Sequence, residues 1–337
     1  MRPRVFLASY YNRELIAPSL ERLREHAEVI LPPYQGQNLT EDELVRSLRG
    51  IDAVIAADEP YTERVLVSAD RLKIIARDGE GINSIDLPAA TRRGVMVVNA
   101  PVVSEAAANL TLGLIICLVR KIVVGDRAVR DGNFSAREDL LCPDLEDKTI
   151  GIVGFGKIGR AMVKRVRSLS MRALVTTGPT SRDAARELGE EVLDLEPLLS
   201  RSDIVTLHVP LTAETHHLIG ARQLAMMKKG SYLVNASRGL VLDEKALVAA
   251  LQSGHLAGAA LDVYESEPPA PDNPLFRMHN VVLTPHIGGD TTDTMVRAMQ
   301  TVVTNILEWM HGNRPPNLRN SESWNMRRET RGSTRWL

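Results

Sequence analysis

Three polar segments each follow a predicted strand in the second half of the chain, and they carry Arg238, Glu267 and His286. A carboxylate beside a histidine favours the protonated imidazole and fixes its orientation, which suits proton exchange with a carbonyl or hydroxyl oxygen. An arginine can bind a carboxylate through two hydrogen bonds and stabilise developing negative charge. Taken singly, these residues are better explained as a surface ion pair, a turn acid before proline and a loop histidine. Together they predict acid–base chemistry at a carbonyl or alcohol carbon.

A glycine-rich segment lies between a predicted strand at 150–153 and a predicted helix, with the spacing G-x-G-x-x-G. In this context the first glycine allows a tight turn, the second lets the backbone approach a pyrophosphate, and the third allows close helix packing. The predicted dinucleotide-binding residues of this segment are Gly154, Phe155, Gly156, Lys157, Ile158 and Gly159.

The choice between NAD and NADP stays open. The fingerprint usually has an acid after the second strand for the ribose hydroxyls, but no carboxylate precedes Asp183 here. Thr180, Ser181 and Arg182 offer hydrogen bonds and a positive charge to a 2′-phosphate, which favours NADP. The alternative is that Arg182 begins a solvated helix and that backbone contacts hold NAD.

The elements that must position these residues alternate between short β-branched runs and helical patterns, which is typical of parallel α/β sheets. Five strands are predicted before residue 100, at 5–8, 28–31, 53–56, 73–76 and 95–98. Six follow residue 147, at 150–153, 173–177, 204–208, 232–235, 259–263 and 281–283. One long helix is predicted from Ser104 to Asp131 and a last helix from Thr291 to Met310. The tail over 319–337 is expected to be mobile rather than docked on a partner subunit, and it includes Trp324, Arg327, Arg328, Arg331, Arg335 and Trp336.

The overall composition narrows the class of protein and of partner. The 337 residues, 44% of them hydrophobic, are typical of about two globular domains. Since 41 Lys and Arg balance 42 Asp and Glu for a net charge of -1, we expect neither nucleic acid nor a membrane surface as partner. Cys117 and Cys142 have no metal-site spacing, and His216 and His217 are expected to be solvated. With no apolar run of about 20 residues and no signal-peptide pattern, we expect a cytoplasmic protein.

At these residues the chain resembles the D-isomer-specific 2-hydroxyacid dehydrogenases, with matching motifs from about Arg77 to Gly289. The resemblance implies that Arg238, Glu267 and His286 are the catalytic arginine, the glutamate that polarises the histidine, and the acid–base histidine. It also implies further cofactor contacts at His208, Val209, Pro210, Ala236, Ser237, Asp262 and Gly288. The implied reaction is hydride transfer between the nicotinamide and C2 of a small anionic 2-hydroxy acid or 2-keto acid.

The resemblance also implies an architecture of two doubly wound parallel-sheet domains. Residues 1–100 plus 290–318 are expected to form a flavodoxin-like substrate domain, and 101–289 an inserted Rossmann nucleotide-binding domain. A homodimer is implied as well, with the helix from Ser104 at its interface.

The loop that begins at Arg77 resembles the family's substrate-carboxylate loop, with Arg77, Glu80 and Gly81 as expected substrate contacts. Glu80 stands where an apolar residue is common, and we expect it to be a solvated charge rather than to point inward and repel the anion. Asn109 replaces a glutamate expected on the long helix. These departures indicate a specialised substrate.

Two other functions fit the same residues. Phosphonate or phosphite oxidation would use the same scaffold, whereas Glu267 argues against the formate-oxidising branch, in which glutamine usually stands there. A nucleotide-sensing binding protein, like the corepressors that resemble these dehydrogenases, would bind cofactor without turnover.

Overall fold

The structure, a computed structural model, describes residues 2–8, 13–32 and 39–330. Its contacts separate the chain into two compact units. Unit 1 comprises the described residues up to Val103 and from Asp290 onward, and unit 2 is Ser104–Gly289.

The elements are numbered in chain order. Before residue 104 they are β1 Arg4–Leu7, α1 Arg13–Arg24, β2 Glu28–Ile30, α2 Glu41–Ser47, β3 Ala53–Ala56, α3 Glu63–Ser68, β4 Ile74–Arg77, α4 Leu87–Arg92 and β5 Met96–Asn99. Within 104–289 they are α5 Ser104–Val119, α6 Ile122–Arg130, β6 Thr149–Val153, α7 Lys157–Arg167, β7 Arg172–Thr176, α8 Pro179–Glu187, β8 Glu191–Val192, α9 Leu195–Arg201, β9 Ile204–Leu207, α10 Ala221–Met226, β10 Ser231–Asn235, α11 Glu244–Gln252, β11 Leu256–Leu261 and β12 Val281–Leu283, with 3-10 helices at Phe134–Leu140, Gly239–Val241 and Pro274–Arg277. Helices α12 Thr292–Met310 and α13 Ser321–Thr330 complete the chain.

Unit 1 is built on a parallel sheet with the strand order β2-β1-β3-β4-β5. This is the flavodoxin-like order, and each of the five predicted strands overlaps an observed one. Strands β3 and β5 are buried along their whole length, as their unbroken apolar runs predict for strands covered on both faces.

Unit 2 contains a seven-stranded parallel sheet in the order β12-β11-β10-β9-β6-β7-β8. Read from β8, this is the strand order of a dinucleotide-binding fold with one strand added beyond the sixth. All six predicted strands are present, and the predicted fold class is confirmed. The sequence did not predict β8, because its two residues are too short to produce a detectable period.

The prediction of one helix from Ser104 to Asp131 is wrong. Helix α5 ends at Val119, Lys121 takes a left-handed conformation with φ 51, and α6 continues at an angle of 62° to α5. The break falls at the charged residues Arg120 and Lys121, but apolar residues resume directly after them, so the apolar pattern favoured one continuous helix. Within the described residues no single helix meets the length and hydropathy of a membrane span, although the bent pair α5 and α6 meets them jointly.

The prediction of a mobile tail after residue 318 is wrong for the residues that the structure describes. Leu318 forms an antiparallel bridge with Val98, and the buried Asn320 side chain accepts a hydrogen bond from the Val97 amide at 2.9 Å. The chain then forms α13, from which Trp324 packs against the core of unit 1. The polar composition of this segment does not indicate this edge pairing, which is also held by backbone hydrogen bonds from the Arg319 amide to the Val97 carbonyl and from the Asn99 amide to the Asn317 carbonyl. Arg331, Arg335 and Trp336 lie outside the described residues.

Candidate active site

The three predicted catalytic segments leave neighbouring strands at one level of the unit 2 sheet. Asn235, the last residue of β10, pairs with Leu261 of β11, and Leu261 pairs with Leu283 of β12. The segments that follow these strands therefore start side by side at the carboxyl edge, where ligands bind in doubly wound sheets.

His286 and Glu267 form a hydrogen-bonded pair, with 2.6 Å between Nδ1 and Oε2. The other glutamate oxygen accepts the Tyr264 amide at 3.0 Å, so the carboxylate is held at both oxygens. The hydrogen bond from Glu267 raises the pKa of His286, against the opposing effects of burial and of the Arg238 charge, and Asp262 adds to the increase. The imidazole is 40% exposed, so the site has access to solvent.

Asp262 holds the turn that carries His286. Its buried carboxylate accepts hydrogen bonds from the Thr284 hydroxyl at 2.6 Å, the Ile287 amide at 2.9 Å and the Gly288 amide at 2.8 Å. His286 itself has φ 55, a left-handed conformation that is uncommon for a residue with a side chain. The surrounding bonds stabilise this strained backbone and so orient the imidazole.

Asn235 organises the loop that carries Arg238. This fully buried amide donates to the Arg238 carbonyl at 3.0 Å and accepts from the Ser237 amide and hydroxyl at 3.0 and 2.8 Å. The guanidinium donates to the Ser237 carbonyl at 2.6 Å. Gly239 follows, and a Cβ there would lie 1.7 Å from the Tyr264 carbonyl oxygen, so the loop packs against the glutamate segment only because this residue is glycine.

The glycine-rich segment has the geometry that a dinucleotide requires. Gly154 has φ 106, and a Cβ there would lie 2.4 Å from the His208 carbonyl oxygen. A Cβ on Gly159 would lie 2.1 Å from the Gly154 carbonyl oxygen, so its absence permits the helix to approach the strand. A Cβ on Gly156 would meet no atom of the described residues within 4 Å, and α7 begins at the next residue. Open space in front of a helix N-terminus fits a pyrophosphate.

The remaining residues of the segment divide by burial. Phe155 is buried in the core of unit 2 and Ile158 packs partly against it. Lys157 is exposed at the first position of α7. Among the predicted cofactor residues of this segment, Lys157 is therefore the one with a charged side chain at the open side.

The segment at the end of β9 lies directly beside the first glycine turn. The His208 amide donates to the Val153 carbonyl at 2.7 Å, and its ring Nε2 lies 3.0 Å from the Thr206 hydroxyl. Burial lowers the pKa of His208 to about 3, so the ring is neutral. Its buried Nδ1 has no partner in the described part of the chain, which leaves one hydrogen-bonding atom for a ligand. Val209 packs partly against the core and Pro210 is exposed.

Arg182 lies in α8, the helix that follows β7, and it already has a partner. Its guanidinium is paired with Asp194, and its Nε donates to the Thr177 carbonyl at 3.5 Å. The Ser181 amide donates to the Gly178 carbonyl at 3.1 Å in the first turn of α8. The Thr180 side chain lies outside the described residues.

In unit 1, the loop after β4 begins with an arginine between two acids. The Arg77 guanidinium pairs with Asp58 at 2.6 Å and with Asp78. Glu80 is partly exposed, and its carbonyl accepts a hydrogen bond from Asn99 at 2.6 Å. The positive charge of Arg77 is thus largely compensated before any substrate arrives.

Comparison with known proteins decides the family. The family described as D-isomer specific 2-hydroxyacid dehydrogenase, NAD binding domain, matches residues 112–288. The chain belongs to this family. It is 39% identical over 332 residues to a glyoxylate reductase of Korarchaeum cryptofilum, with 96% of this chain and 97% of the relative covered. A D-3-phosphoglycerate dehydrogenase of Archaeoglobus fulgidus is 38% identical over 276 residues, which are 81% of this chain and 52% of the relative.

A solved structure agrees with the sequence relatives. The NADPH-dependent glyoxylate/hydroxypyruvate reductase of Sinorhizobium meliloti, in complex with NADP and malonate, superimposes with a TM-score of 0.83 at 28% identity and covers 96% of this chain and 98% of that chain. The protein is an NAD(P)-dependent D-2-hydroxyacid dehydrogenase. The predicted family and enzyme class are therefore confirmed.

The dehydrogenase also buries a carboxyl group that sequence reasoning missed. Glu59 is 0% exposed, and its Oε2 accepts the Ala57 amide at 2.8 Å while its Oε1 has no partner among the described residues. Burial raises the pKa of Glu59 to about 7, and the charges of Asp78 and Asp58 add to the increase. Nothing in the local pattern marks this acid, because it stands among polar residues between β3 and α3.

His216 and His217 are both exposed, as predicted, and His217 also has a specific partner. His217 Nε2 lies 2.9 Å from Oε1 of Glu265, and the two side chains are 38% and 33% exposed. The rings of His216 and His217 lie 4.2 Å apart. The two residues of this pair are 48 positions apart in the chain, so no local spacing predicts their contact. In the described residues, no group of three His, Cys, Asp or Glu side chains is arranged to hold a metal ion.

Proposed function

We propose that this dehydrogenase reduces a small 2-keto acid to the D-2-hydroxy acid, or catalyses the reverse reaction, with His286 as the acid–base residue. The observation that carries the proposal is the 2.6 Å hydrogen bond between His286 Nδ1 and Glu267 Oε2. Because Glu267 occupies Nδ1, the other ring nitrogen is the one left to exchange a proton with the substrate oxygen.

Glu267 supports this role by its charge. Its carboxylate raises the pKa of His286 and so keeps a proton available for the reductive direction. In that direction the imidazolium protonates the carbonyl oxygen, and in the oxidative direction the neutral imidazole removes the hydroxyl proton.

Arg238 is proposed as the anchor for the substrate. Its loop is fixed by Asn235, and its charge acts on His286 strongly enough to oppose the increase in the pKa of that residue. A guanidinium at this place can bind the substrate carboxylate and stabilise negative charge on the reacting oxygen.

The bound nicotinamide cofactor supplies the hydride in this proposal. The glycines 154, 156 and 159 and the first turn of α7 would hold the pyrophosphate, with Lys157 beside it, and His208 follows the strand next to this turn. Ala236, Ser237 and Gly288 are proposed to line the nicotinamide end. Asp262 is proposed to act there through the turn that it holds, because both of its oxygens already accept protein hydrogen bonds.

We infer a preference for NADPH over NADH. No carboxylate directly follows β7, and Arg182 is fixed there by the Thr177 carbonyl. Asp194 offsets part of the guanidinium charge, so the preference is expected to be about tenfold rather than absolute. Arg182→Ala should abolish it by lowering kcat/KM with NADPH alone.

The proposed substrate is a short 2-keto acid such as glyoxylate or hydroxypyruvate. The relatives that align over nearly the whole chain include glyoxylate reductases. Since Asp58 and Asp78 compensate Arg77, the substrate anion would be bound by backbone amides of the loop, including those near Glu80 and Gly81, and only a small anion is expected to fit. The comparisons favour neither phosphite or phosphonate oxidation nor a corepressor-like role.

A homodimer is also proposed. On α6 and the 3-10 helix after it, large apolar side chains are exposed in one stretch of sequence, and they are Ile122, Val123, Val124, Val129, Phe134 and Leu141. Such a patch marks an interaction surface. The molar mass in solution, compared between the wild type and Phe134→Asp, tests this assignment. The cytoplasmic location and a lack of nucleic-acid or membrane partners stay predictions from composition.

The deciding experiment measures the loss of NADPH and NADH absorbance with glyoxylate, hydroxypyruvate, pyruvate, phenylpyruvate and 3-phosphohydroxypyruvate. Phosphite and hydroxymethylphosphonate are run in the oxidative direction. We expect turnover with glyoxylate or hydroxypyruvate. Activity confined to a phosphorus substrate, or cofactor binding without any turnover, would contradict the proposed function.

A further inference from the structure

The second histidine–glutamate pair in unit 2 belongs to a closed network. Besides the contact with His217, Glu265 Oε1 accepts the backbone amide of Glu244 at 3.1 Å. In return, Glu244 Oε1 accepts the backbone amide of Glu265 at 2.6 Å. The other Glu244 oxygen accepts the Asn273 side-chain amide at 3.1 Å. Each glutamate therefore binds the main chain of the other, and we call the network of His217, Glu265 and Glu244 the clasp.

The clasp fastens the segment that carries Arg238. The His217 amide donates to the Leu240 carbonyl at 2.8 Å, and the Ile219 amide donates to the Val241 carbonyl at 3.1 Å. Glu244 is the first residue of α11, which follows that segment directly. The stretch from Arg238 to α11 is thus held at both of its ends.

The clasp also fastens the segment that carries Glu267. Glu265 stands two positions before Glu267, and Tyr264, whose amide binds Glu267, is its neighbour on the other side. The closest approach of the two segments is at Gly239, which packs on the Tyr264 carbonyl. Within unit 2, therefore, the clasp joins the two backbone segments from which Arg238 and Glu267 project.

We propose that the clasp is a positioning device that sets the Glu267 carboxylate for its hydrogen bond to His286. The inference rests on the proposed acid–base role of His286. Its physical reason is that a displacement of about 1 Å in a catalytic group costs up to about a hundredfold in rate. The Tyr264 hydroxyl ties the 264–267 turn to the Thr284 carbonyl at 3.0 Å, and His217 and Glu244 add two contacts at Glu265 that limit such a displacement.

The test compares Glu244→Ala with Glu244→Gln in the full-length enzyme. Alanine removes the acceptor for the Glu265 amide, whereas glutamine keeps one carbonyl oxygen for it. We expect kcat for keto-acid reduction to fall about tenfold in Glu244→Ala and to recover most of this loss in Glu244→Gln, with the KM for the cofactor within about twofold of wild type.

The pH dependence of kcat distinguishes a positioning role of the clasp from a role in stability alone. Glu267 raises the pKa of His286, and the other charged groups acting on it are Arg238 and Asp262. Reduction requires the imidazolium, so activity falls as pH rises through this pKa. A displaced Glu267 lowers the pKa, and the alkaline limb of kcat should therefore move to lower pH in Glu244→Ala.

Glu196→Ala is the matched control, because Glu196 is also an acid in the first turn of a unit 2 helix and pairs with Arg222 on the surface. It should leave the profile unchanged. If Glu244→Ala does not fold, His217→Ala tests the clasp from its other end and should move the limb in the same direction.

A lower melting temperature with an unmoved alkaline limb in both clasp variants would overturn the inference. Glu267→Gln is measured beside them to distinguish a failure of the acid–base role of His286 from a failure of the clasp as a positioning device. If Glu267→Gln also leaves the limb in place, the acid–base role itself fails. If it moves the limb and the clasp variants do not, the clasp alone fails.

Discussion

The carboxyl edges of the two parallel sheets use charged residues in different ways. In unit 2 the His286–Glu267 pair is more than a third exposed, and the groups around it hold the pair without neutralising it. In unit 1 Arg77 lies between Asp58 and Asp78, and its side chain is 12% exposed. Two sheets of the same architecture therefore differ at their carboxyl edges. The unit 2 edge presents a solvent-accessible histidine–glutamate pair, whereas the unit 1 edge presents a loop whose arginine charge is compensated by two acids.

The largest effect on kcat is expected when the unit 2 edge loses His286, its proposed proton-transfer group. His286→Gln should lower kcat about a thousandfold, because general acid–base catalysis typically contributes factors of this order. Steady-state kinetics with saturating cofactor measures the change, and nucleotide fluorescence titration provides the control. A comparable loss of cofactor affinity would contradict a role confined to the chemical step.

The next effect concerns stability at the unit 1 edge. Burial raises the pKa of Glu59 to about 7 in the folded protein, above the value of 4.5 in an exposed carboxyl, so the folded state binds the proton more tightly. The contribution of Glu59 to the free energy of unfolding is therefore highest at low pH and falls as the pH rises from about 4.5 through 7. Glu59→Gln keeps the acceptor for the Ala57 amide and removes the buried charge, and it should raise the free energy of unfolding at pH 8.5 by about 3 kcal/mol.

Urea unfolding at pH 5 and pH 8.5 measures this difference. The gain in Glu59→Gln should be smaller at pH 5, where the side chain is neutral in both folded proteins. Glu63→Gln, which alters an exposed acid paired with Arg92, is the control and should change little at either pH. An equal gain at both pH values would mean that the charge of Glu59 is not its cause.

A smaller effect is expected at the unit 2 edge when the partner of His286 loses its charge. Glu267→Gln removes the charge that raises the pKa of His286, so reduction should lose its alkaline activity at lower pH than in the wild type. At neutral pH we expect kcat to fall about thirtyfold. The pH dependence of kcat in both directions measures this, and oxidation, which needs the neutral imidazole, should keep its activity to lower pH.

The smallest effect is expected for the compensated arginine of unit 1. Arg77→Gln leaves Asp58 and Asp78 without their common cation, so the loop should shift and repel the substrate anion. We expect the KM for the keto acid to rise about tenfold while kcat stays within about twofold. Arg92→Gln, which breaks an exposed pair with Glu63, serves as the control. A fall in kcat without a change in KM would contradict the proposal that the unit 1 edge contributes to substrate binding and the unit 2 edge to the chemical step.

Much of the fold and the polar centre of the site could be predicted from local patterns. Alternating strand and helix periods indicated eleven of the strands in the correct places, and the glycine spacing indicated the turn at Gly154. Arg238, Glu267 and His286 were predicted because each follows a strand, and parallel strands of one sheet end at one edge.

Other features depend on residues that are far apart in the chain. The bend at Lys121 falls where the apolar pattern resumes after only two charged residues, and the docking of Asn320 joins residues 223 positions apart. The contact of His217 with Glu265 and the burial of Glu59 are equally invisible to a local reading.

The sequence by itself therefore determined most of the element types, the cofactor fingerprint and the candidate reactive side chains, because period, spacing and side-chain chemistry are local properties. Only the tertiary structure decided which charges are paired, which are buried and which stay open. Burial and pairing depend on distances between segments, and these distances arise when the sheets and helices pack.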